Sequence, residues 1–295
     1  MNNTKHKILL SSSIGTIQRQ YTMEESIDLM YDAGFDAIDF SFHVDEKFYS
    51  KETSPDFFKS LKQYAENKGM IFNQAHAPFK HPKDKEEMDK YIADIIQCIK
   101  NSALLGVKTI VVHPLKSTDI ADGEHLFDAN MEFYNIFRPY CEEYGVKVAL
   151  ENMFMGKWFI NGGVLVESTC SKPEEFIRYL DELNSDCFVA CLDIGHALLV
   201  RQDPAEFIRV LGNKRLKALH VHDVDGSKDL HTMPYYGGFA DWDRIAKALK
   251  DINYEGDFTL EAGNFLKPLP KELYPMGAKM MVEISRHIMN KISGC

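Results

Sequence analysis

Short runs rich in Ile, Val, Leu and Phe alternate with longer amphipathic segments along all 295 residues. That rhythm predicts a parallel sheet whose strands are joined by helical crossovers. Eight runs qualify as strands: Lys7 to Ser12, Ala37 to Phe42, Met70 to His76, Thr109 to His113, Lys147 to Glu151, Phe188 to Asp193, Leu216 to His222 and Asp257 to Glu261. The clearest intervening helix is Glu86 to Leu105, where Met88, Tyr91, Ile92, Ile95, Ile96, Ile99 and Leu104 recur mostly at steps of three and four. Gly34, Gly69, Gly106 and Gly145 each stand just ahead of a strand, where a helix must end and the chain turn. No Pro- or Ser-rich linker and no low-complexity run interrupts the pattern. The expectation is an α/β protein, a single (β/α)₈ TIM barrel over residues 1–295, with the longer connections after Glu151 and His220 building its working face.

Six of the eight apolar runs finish on a residue able to bind a metal: His76, His113, Glu151, Asp193, His220 and Glu261. Their spacings of 37, 38, 42, 27 and 41 residues are close to one barrel unit each, roughly 37 residues for a chain of this size. All six should therefore meet at the C-terminal mouth. Glu151, Asp193, His220 and Glu261 follow continuous apolar runs, where a carboxylate or imidazole is costly unless paired or coordinated. These four are the expected metal ligands. His76 and His113 each precede a proline by one or two residues and serve either as further ligands or as substrate-binding groups. His196, three residues after Asp193, and the pair Asp229 and His231 in a DLH triplet extend the candidate ligands to nine. The strand end separates His220 from His222, so His220 is assigned to the metal, with His222 and Asp223 supporting it or shaping the loop beyond. The mixture of imidazole and carboxylate suits Zn²⁺, Mn²⁺ or Co²⁺ better than the all-oxygen cages of Mg²⁺ or Ca²⁺.

Composition narrows the partners. With 45% hydrophobic and 26% charged residues the chain has ample material for a core. Its net charge of −10 opposes nucleic acid and anionic membrane surfaces. The segment MNNTKHKILLSSSIGT lacks the long apolar core of a signal peptide, and no stretch approaches the ~18 apolar residues of a membrane span. Cys98, Cys141, Cys170, Cys187, Cys191 and Cys295 form no CxxC pair and read as reduced thiols, so a cytoplasmic location is expected. Met276, Met280, Met281 and Ile284 pack on the barrel or on a second copy of the chain, so a homo-oligomer stays open.

Through LEN, LDIGHA, HVHD with DLH, GGFADW and LEAG, in that order, the whole chain resembles the xylose isomerase-like barrel superfamily, which holds sugar phosphate isomerases and epimerases and the three-zinc AP endonucleases. The resemblance implies that Glu151, Asp193, His220 and Glu261 hold one Mn²⁺, Co²⁺ or Zn²⁺. It further implies that Glu151 and Glu261 act as an acid/base pair on opposite faces of a carbohydrate, through an ene-diolate, and that His196 binds a substrate hydroxyl. The chain departs from the ketose 3-epimerase pattern at Gly226, where an Arg is looked for, and at Lys157, where an acid is looked for. Lys157, Trp158 and Lys228 are instead candidates for binding a carboxylate or phosphate, with Trp158 offering a flat face to a sugar ring. All nine ligand types of the AP endonucleases also have matching positions: His76, His113, Glu151, Asp193, His196, His220, Asp229, His231 and Glu261. Against that reading stand the net charge and the lack of Arg-rich loops after Met153 or Asp223. A trinuclear zinc phosphodiesterase and a non-catalytic metal- or sugar-binding barrel are therefore the alternatives to a sugar isomerase or epimerase.

Overall fold

The computed structural model of the chain describes residues 7–116, 123–159 and 162–293, without the side chains at 123–124, 157–159 and 162–164. In chain order the first half comprises β1 (Leu10–Ser13), α1 (Met23–Ala33), β2 (Ala37–Ser41), α2 (Pro55–Asn67), β3 (Ile71–His76), α3 (Lys85–Leu105), β4 (Thr109–Val111), α4 (Gly123–Tyr144) and β5 (Lys147–Glu151). The second comprises β6 (Phe154–Phe159), β7 (Gly162–Glu167), α5 (Pro173–Leu183), β8 (Phe188–Asp193), α6 (Ile194–Leu199), α7 (Pro204–Arg215), β9 (Leu216–His220), α8 (Trp242–Asp251), β10 (Phe258–Leu260) and α9 (Tyr274–Ser293).

Eight parallel strands pair in the order β10-β1-β2-β3-β4-β5-β8-β9. The ring closes through a parallel bridge between Val221 and Leu260, where Val221 N donates to Thr259 O and Glu261 N to Val221 O. The expected (β/α)₈ barrel is therefore present, and each expected strand falls on one of these eight. The four glycines expected at helix ends all take left-handed φ, from 64° to 101°. At Gly34 the reason is direct: its N–H reaches back to Met30 and Tyr31 carbonyls, a closure that a Cβ would strain. Helix α3 starts one residue earlier than expected because the Asp84 side chain caps it by accepting from Glu87 N.

Alternation along the strands decides what the barrel mouth contains. Val111, Ala149, Val189, Cys191 and Ala218 form a small apolar cluster apart from the main core. Four of them stand two residues before His113, Glu151, Asp193 and His220, so the ligand candidates share their inward face one layer higher. The large side chains of the strands pack on the helices instead, as Phe40 does on Phe58 of α2 and Phe188 on Tyr134 of α4. Five cysteines are free, four of them buried, while Cys295 lies outside the described residues.

Two expectations change. The connection after β5, read as an open loop, is a β6–β7 antiparallel hairpin pairing Phe154 with Glu167 through Phe159 with Gly162. Glycines at 156, 162 and 163 break its apolar alternation, which hid it in the sequence. In α9, Met281 is buried and Ile284 partly so, but Met276 and Met280 are 71% and 46% exposed and do not pack on the barrel.

Candidate metal centre

The floor of the mouth is built from strand ends and the first turns after them. Among the described residues ligand atoms lie within 4.8 Å of one another in three groupings: a first centre of His76, His113 and Glu151; a second of Glu151, Asp193, His220 and Glu261, whose His220 and Glu261 also meet His76; and a third of His196, His222, Asp229 and His231. Every one of the nine sequence candidates is thus brought into a cluster, and one residue is added, His222.

Glu151 joins the first two centres. Its Oε1 lies 3.1 Å from His220 Nδ1 and 3.4 Å from His196 Nδ1, and its Oε2 lies 2.9 Å from His113 Nε2 and 3.8 Å from His76 Nε2. Glu261 approaches the same His220 Nδ1 at 3.2 Å, and Asp193 Oδ2 approaches it at 3.9 Å. In the third centre His231 Nε2 is 2.6 Å, and His196 Nε2 3.6 Å, from Asp229 Oδ2.

These residues fit divalent cations on three observations. Ligands held at ~2.0–2.1 Å around a tetrahedral ion are roughly 3.3 Å apart, which the separations above straddle. Glu151 Oε2 and Asp229 Oδ1 are buried without a hydrogen-bond partner, so oxygens converge on nitrogens without suitable hydrogen-bond geometry. Finally, three imidazoles turn their other nitrogen to a backbone carbonyl: His76 Nδ1–H donates to Ala77 O at 2.7 Å, His196 Nδ1–H to Asn152 O at 2.9 Å, and His231 Nδ1–H to Glu261 O at 2.9 Å. That bond fixes the tautomer and leaves Nε2 aimed into the site, as metal-binding imidazoles require.

Without metal, protons take the cations' place. Burial pushes the Glu261 carboxyl up, but His220, His231 and His76 outweigh it and hold it down at about 2. Burial opposes the charge of His196 and His231, yet the carboxylates around them lift the two to about 10 and about 9, through Asp193 and Asp229 at His196 and through Glu261 and Asp229 at His231.

His222 and Asp223 divide as strand alternation predicts, but His222 is closer to the centre than expected. Its Nε2–H donates to both oxygens of Asp193, at 2.9 and 3.0 Å, and its ring stacks on His231 at 4.5 Å. Asp193 also accepts from His196 N at 2.6 Å, so one carboxylate ties the second and third centres together. Asp223 turns away and accepts from Val224 N, Ala240 N and Trp242 Nε1, pinning the GGFADW segment. Room for His222 exists only because residue 195 is glycine: a Cβ there would lie 2.0 Å from His222 Cε1. Gly195→Ala should therefore expel the ring, cost about 2–3 kcal/mol by overpacking, and lower metal content. Thermal unfolding and elemental analysis check this, and adding His222→Ala should recover much of the lost stability. An unchanged melting temperature in the single variant would contradict the packing described.

Above the floor a cleft of about 370 Å³ opens, lined by His76, His113, Glu151, His196, Asp229, His231 and Glu261, with Asp193 and His220 fully buried below. Phe79, 52% exposed, stacks on His113 at 5.1 Å, and Phe154 stands 4.8 Å from His196. Lys157 and Trp158 lie on β6, but their side chains fall outside the described residues. Lys228 is exposed and does not line the cleft, because the loop after β9 carries it outward past His222. The sequence reading also missed His43 and Asp39. His43 lines the cleft, and burial together with His76 depresses it to about 3, so its ring is neutral. Asp39 lies on β2 beneath the centre, raised to about 6 chiefly by burial. A carboxylate inside the apolar run AIDFSF was the signal available for it.

A parallel barrel carrying convergent imidazole and carboxylate clusters at its C-terminal mouth defines a TIM-barrel protein equipped to bind divalent metal. The chain belongs to the xylose isomerase-like TIM barrel family, whose model matches residues 27–283. An uncharacterised protein of Methanocaldococcus jannaschii is 27% identical over 199 residues, 64% of each chain. The chain thus spans less than two thirds of that relative's length. A D-psicose 3-epimerase of Enterocloster bolteae is 23% identical over 281 residues, 86% of each chain. Among solved structures, the IolI protein with a bound zinc atom superposes with a TM-score of 0.77 at 20% identity, covering 97% of this chain and 99% of that one. No helix among the described residues is long and apolar enough to cross a membrane.

Proposed function

We propose that the chain is a divalent-metal-dependent isomerase or epimerase of a sugar, sugar acid, cyclitol or sugar phosphate, working in the cytoplasm. The observation that carries this reading is the placement of Glu151 and Glu261 on either side of His220 Nδ1, at 3.1 and 3.2 Å, beneath a cleft of about 370 Å³. One buried and one part-buried carboxylate flank one cation position. A Mn²⁺, Zn²⁺ or Co²⁺ held by Glu151, Asp193, His220 and Glu261 would polarise a substrate carbonyl and its neighbouring hydroxyl, making the proton between them acidic. One of the two glutamates removes that proton. For epimerisation the other delivers a solvent-derived proton to the opposite face, and for isomerisation the first passes its proton, exchanged with solvent, to the adjoining carbon; proton exchange with water then restores both carboxylates. His196, anchored through Asn152 O, presents Nε2 to a substrate hydroxyl, while His76 and His113 border the same space. Phe79 and Phe154 offer apolar faces to the sugar ring. The D-psicose 3-epimerase relative supports this chemistry, and the zinc in the IolI protein supports the metal.

The third grouping, His196, His222, Asp229 and His231, favours a second reading, a trinuclear zinc phosphodiesterase of the AP endonuclease kind. One experiment decides between them. The metal-loaded protein is incubated in D₂O with a panel of ketoses, aldoses, sugar acids and their phosphates, and metal is counted per chain. The isomerase reading expects deuterium at a sugar carbon, whereas no exchange with any sugar, three zinc ions and cleavage of abasic DNA would replace it with the hydrolase. Tight sugar binding without exchange would leave a non-catalytic barrel.

A further inference from the structure

Outside the ligand clusters four charged side chains line the cleft, Arg19, Lys80, Lys116 and Lys267, and all four are cationic. This is unexpected in a chain of net charge −10, with 44 acidic against 34 basic residues. The carboxylates that line the cleft, Glu151, Asp229 and Glu261, all belong to the metal centre. Lys80 is already engaged by Asp94 at 2.8 Å and Glu46 at 3.7 Å. Arg19 and Lys267 are different: both are exposed, and neither has a carboxylate partner among the described residues.

Their positions in the ring bring them together. Arg19 follows β1 and Lys267 follows β10, and these strands are paired neighbours, Leu10 with Phe258 through Ser12 with Leu260. The two loops also touch, since a Cβ on Gly263 would lie 2.2 Å from Thr16 Oγ1. Thr16 and Asn264, the latter tied to the DLH loop through Leu230 O and His231 O, line the same cleft as the two cations.

We infer that Arg19 and Lys267, with Thr16, form a subsite for the anionic end of the substrate, so that the enzyme acts on a monosaccharide bearing a terminal phosphate or carboxylate. This rests on the reading of the mouth as a sugar isomerase or epimerase site. Two unpartnered cations beside a metal floor attract an anion from solution and hold its charged end while the sugar reaches the glutamates. The net negative charge of the chain then acts against anions everywhere except here. Lys228, exposed and outside the cleft lining, is not part of this subsite.

The test has two arms on the metal-loaded protein. In the first, inorganic phosphate is titrated into wild type, Arg19→Ala, Lys267→Ala and Lys228→Ala. Phosphate should bind roughly tenfold to a hundredfold more weakly to Arg19→Ala and to Lys267→Ala, as tightly as to wild type in Lys228→Ala, and with most of the lost affinity regained in Arg19→Lys. Metal content and melting temperature should match wild type in all four variants. Equal phosphate affinity throughout would overturn the subsite. In the second, deuterium exchange is compared for neutral ketohexoses, their 6-phosphates and hexuronates, which separates the phosphate from the carboxylate source. Higher kcat/KM for an anionic sugar, with KM raised in Arg19→Ala and Lys267→Ala, is expected. Exchange with neutral sugars alone removes the subsite and leaves the isomerase. Phosphate binding that depends on Arg19, with no exchange on any sugar, leaves the subsite and removes the isomerase.

Discussion

Glu151→Gln should empty the metal centre and lower deuterium exchange by about 10²–10⁴-fold, the range expected when a general acid/base is lost. The change keeps the size of the side chain and removes only charge and proton-accepting capacity. Its effect is large because Glu151 is shared: Oε1 faces His220 and His196 while Oε2 faces His113 and His76. Burial pushes this carboxyl up, but His220 and His113 hold it well below its ordinary value, so it is a carboxylate at every pH of interest. Removing one partner of a buried ionic network typically costs 3–5 kcal/mol, and the metal-free variant should be destabilised on that order. Asp229→Asn is the informative contrast. It touches only the third grouping, so exchange should stay within about tenfold of wild type if Glu151 and Glu261 do the chemistry. Elemental analysis and exchange rates on both variants check the result, and full metal occupancy in Glu151→Gln would contradict the assignment.

Metal-free protein should lose stability as pH rises from about 6.5 to 10, and divalent metal should restore it over the same range. His196 and His231 carry folded-state values of about 10 and about 9 against 6.5 for an ordinary imidazole. The folded chain therefore holds these protons more tightly than the unfolded one. Their stabilising contribution is complete below pH 6.5 and disappears as pH climbs through 9 and then 10. Every tenfold gain in proton affinity on folding corresponds to about 1.4 kcal/mol, so the total loss should be on the order of 3 kcal/mol or more. Metal must displace the same protons to reach Nε2 of both rings. Its affinity for the third grouping should rise about tenfold per pH unit for each proton released, up to pH 9. Thermal unfolding with a chelator, beside metal titrations from pH 6 to 10, measures both limbs. A metal-free stability that rises across this window would reverse the assignment of charge on the two histidines.

The barrel itself was legible because each of its cues is local. Alternating apolar runs mark strands, Asp84 caps α3, and the glycine at 34, 69, 106 or 145 closes the helix before the next strand. The inward face of each strand is equally local. A residue two beyond Ala149 or Ala218 must point the same way, so Glu151 and His220 could be placed at the mouth from periodicity alone. The nine candidate ligands come together for that reason. Asp39 escaped because it lies within its run and not at the end, and His43 because it follows the strand by two residues.

What only the tertiary structure decided is how separate strand ends share partners. Whether His222 would face the centre or the loop depends on the space left by Gly195, a residue of another element, and on Asp193 accepting from His196 N and His222 at once. Similarly, Arg19 and Lys267 are 248 positions apart in sequence and line one cleft only because β10 pairs beside β1 in the ring. Strand periodicity sets the direction of a side chain within its own element, since backbone geometry propagates over a few residues. It carries no information about which loop will stand opposite, because that is fixed by ring closure and by which side chains find room. The sequence by itself determined a barrel with a metal-competent mouth; closure of that barrel decided which residues share the cations and where a cationic rim stands beside them.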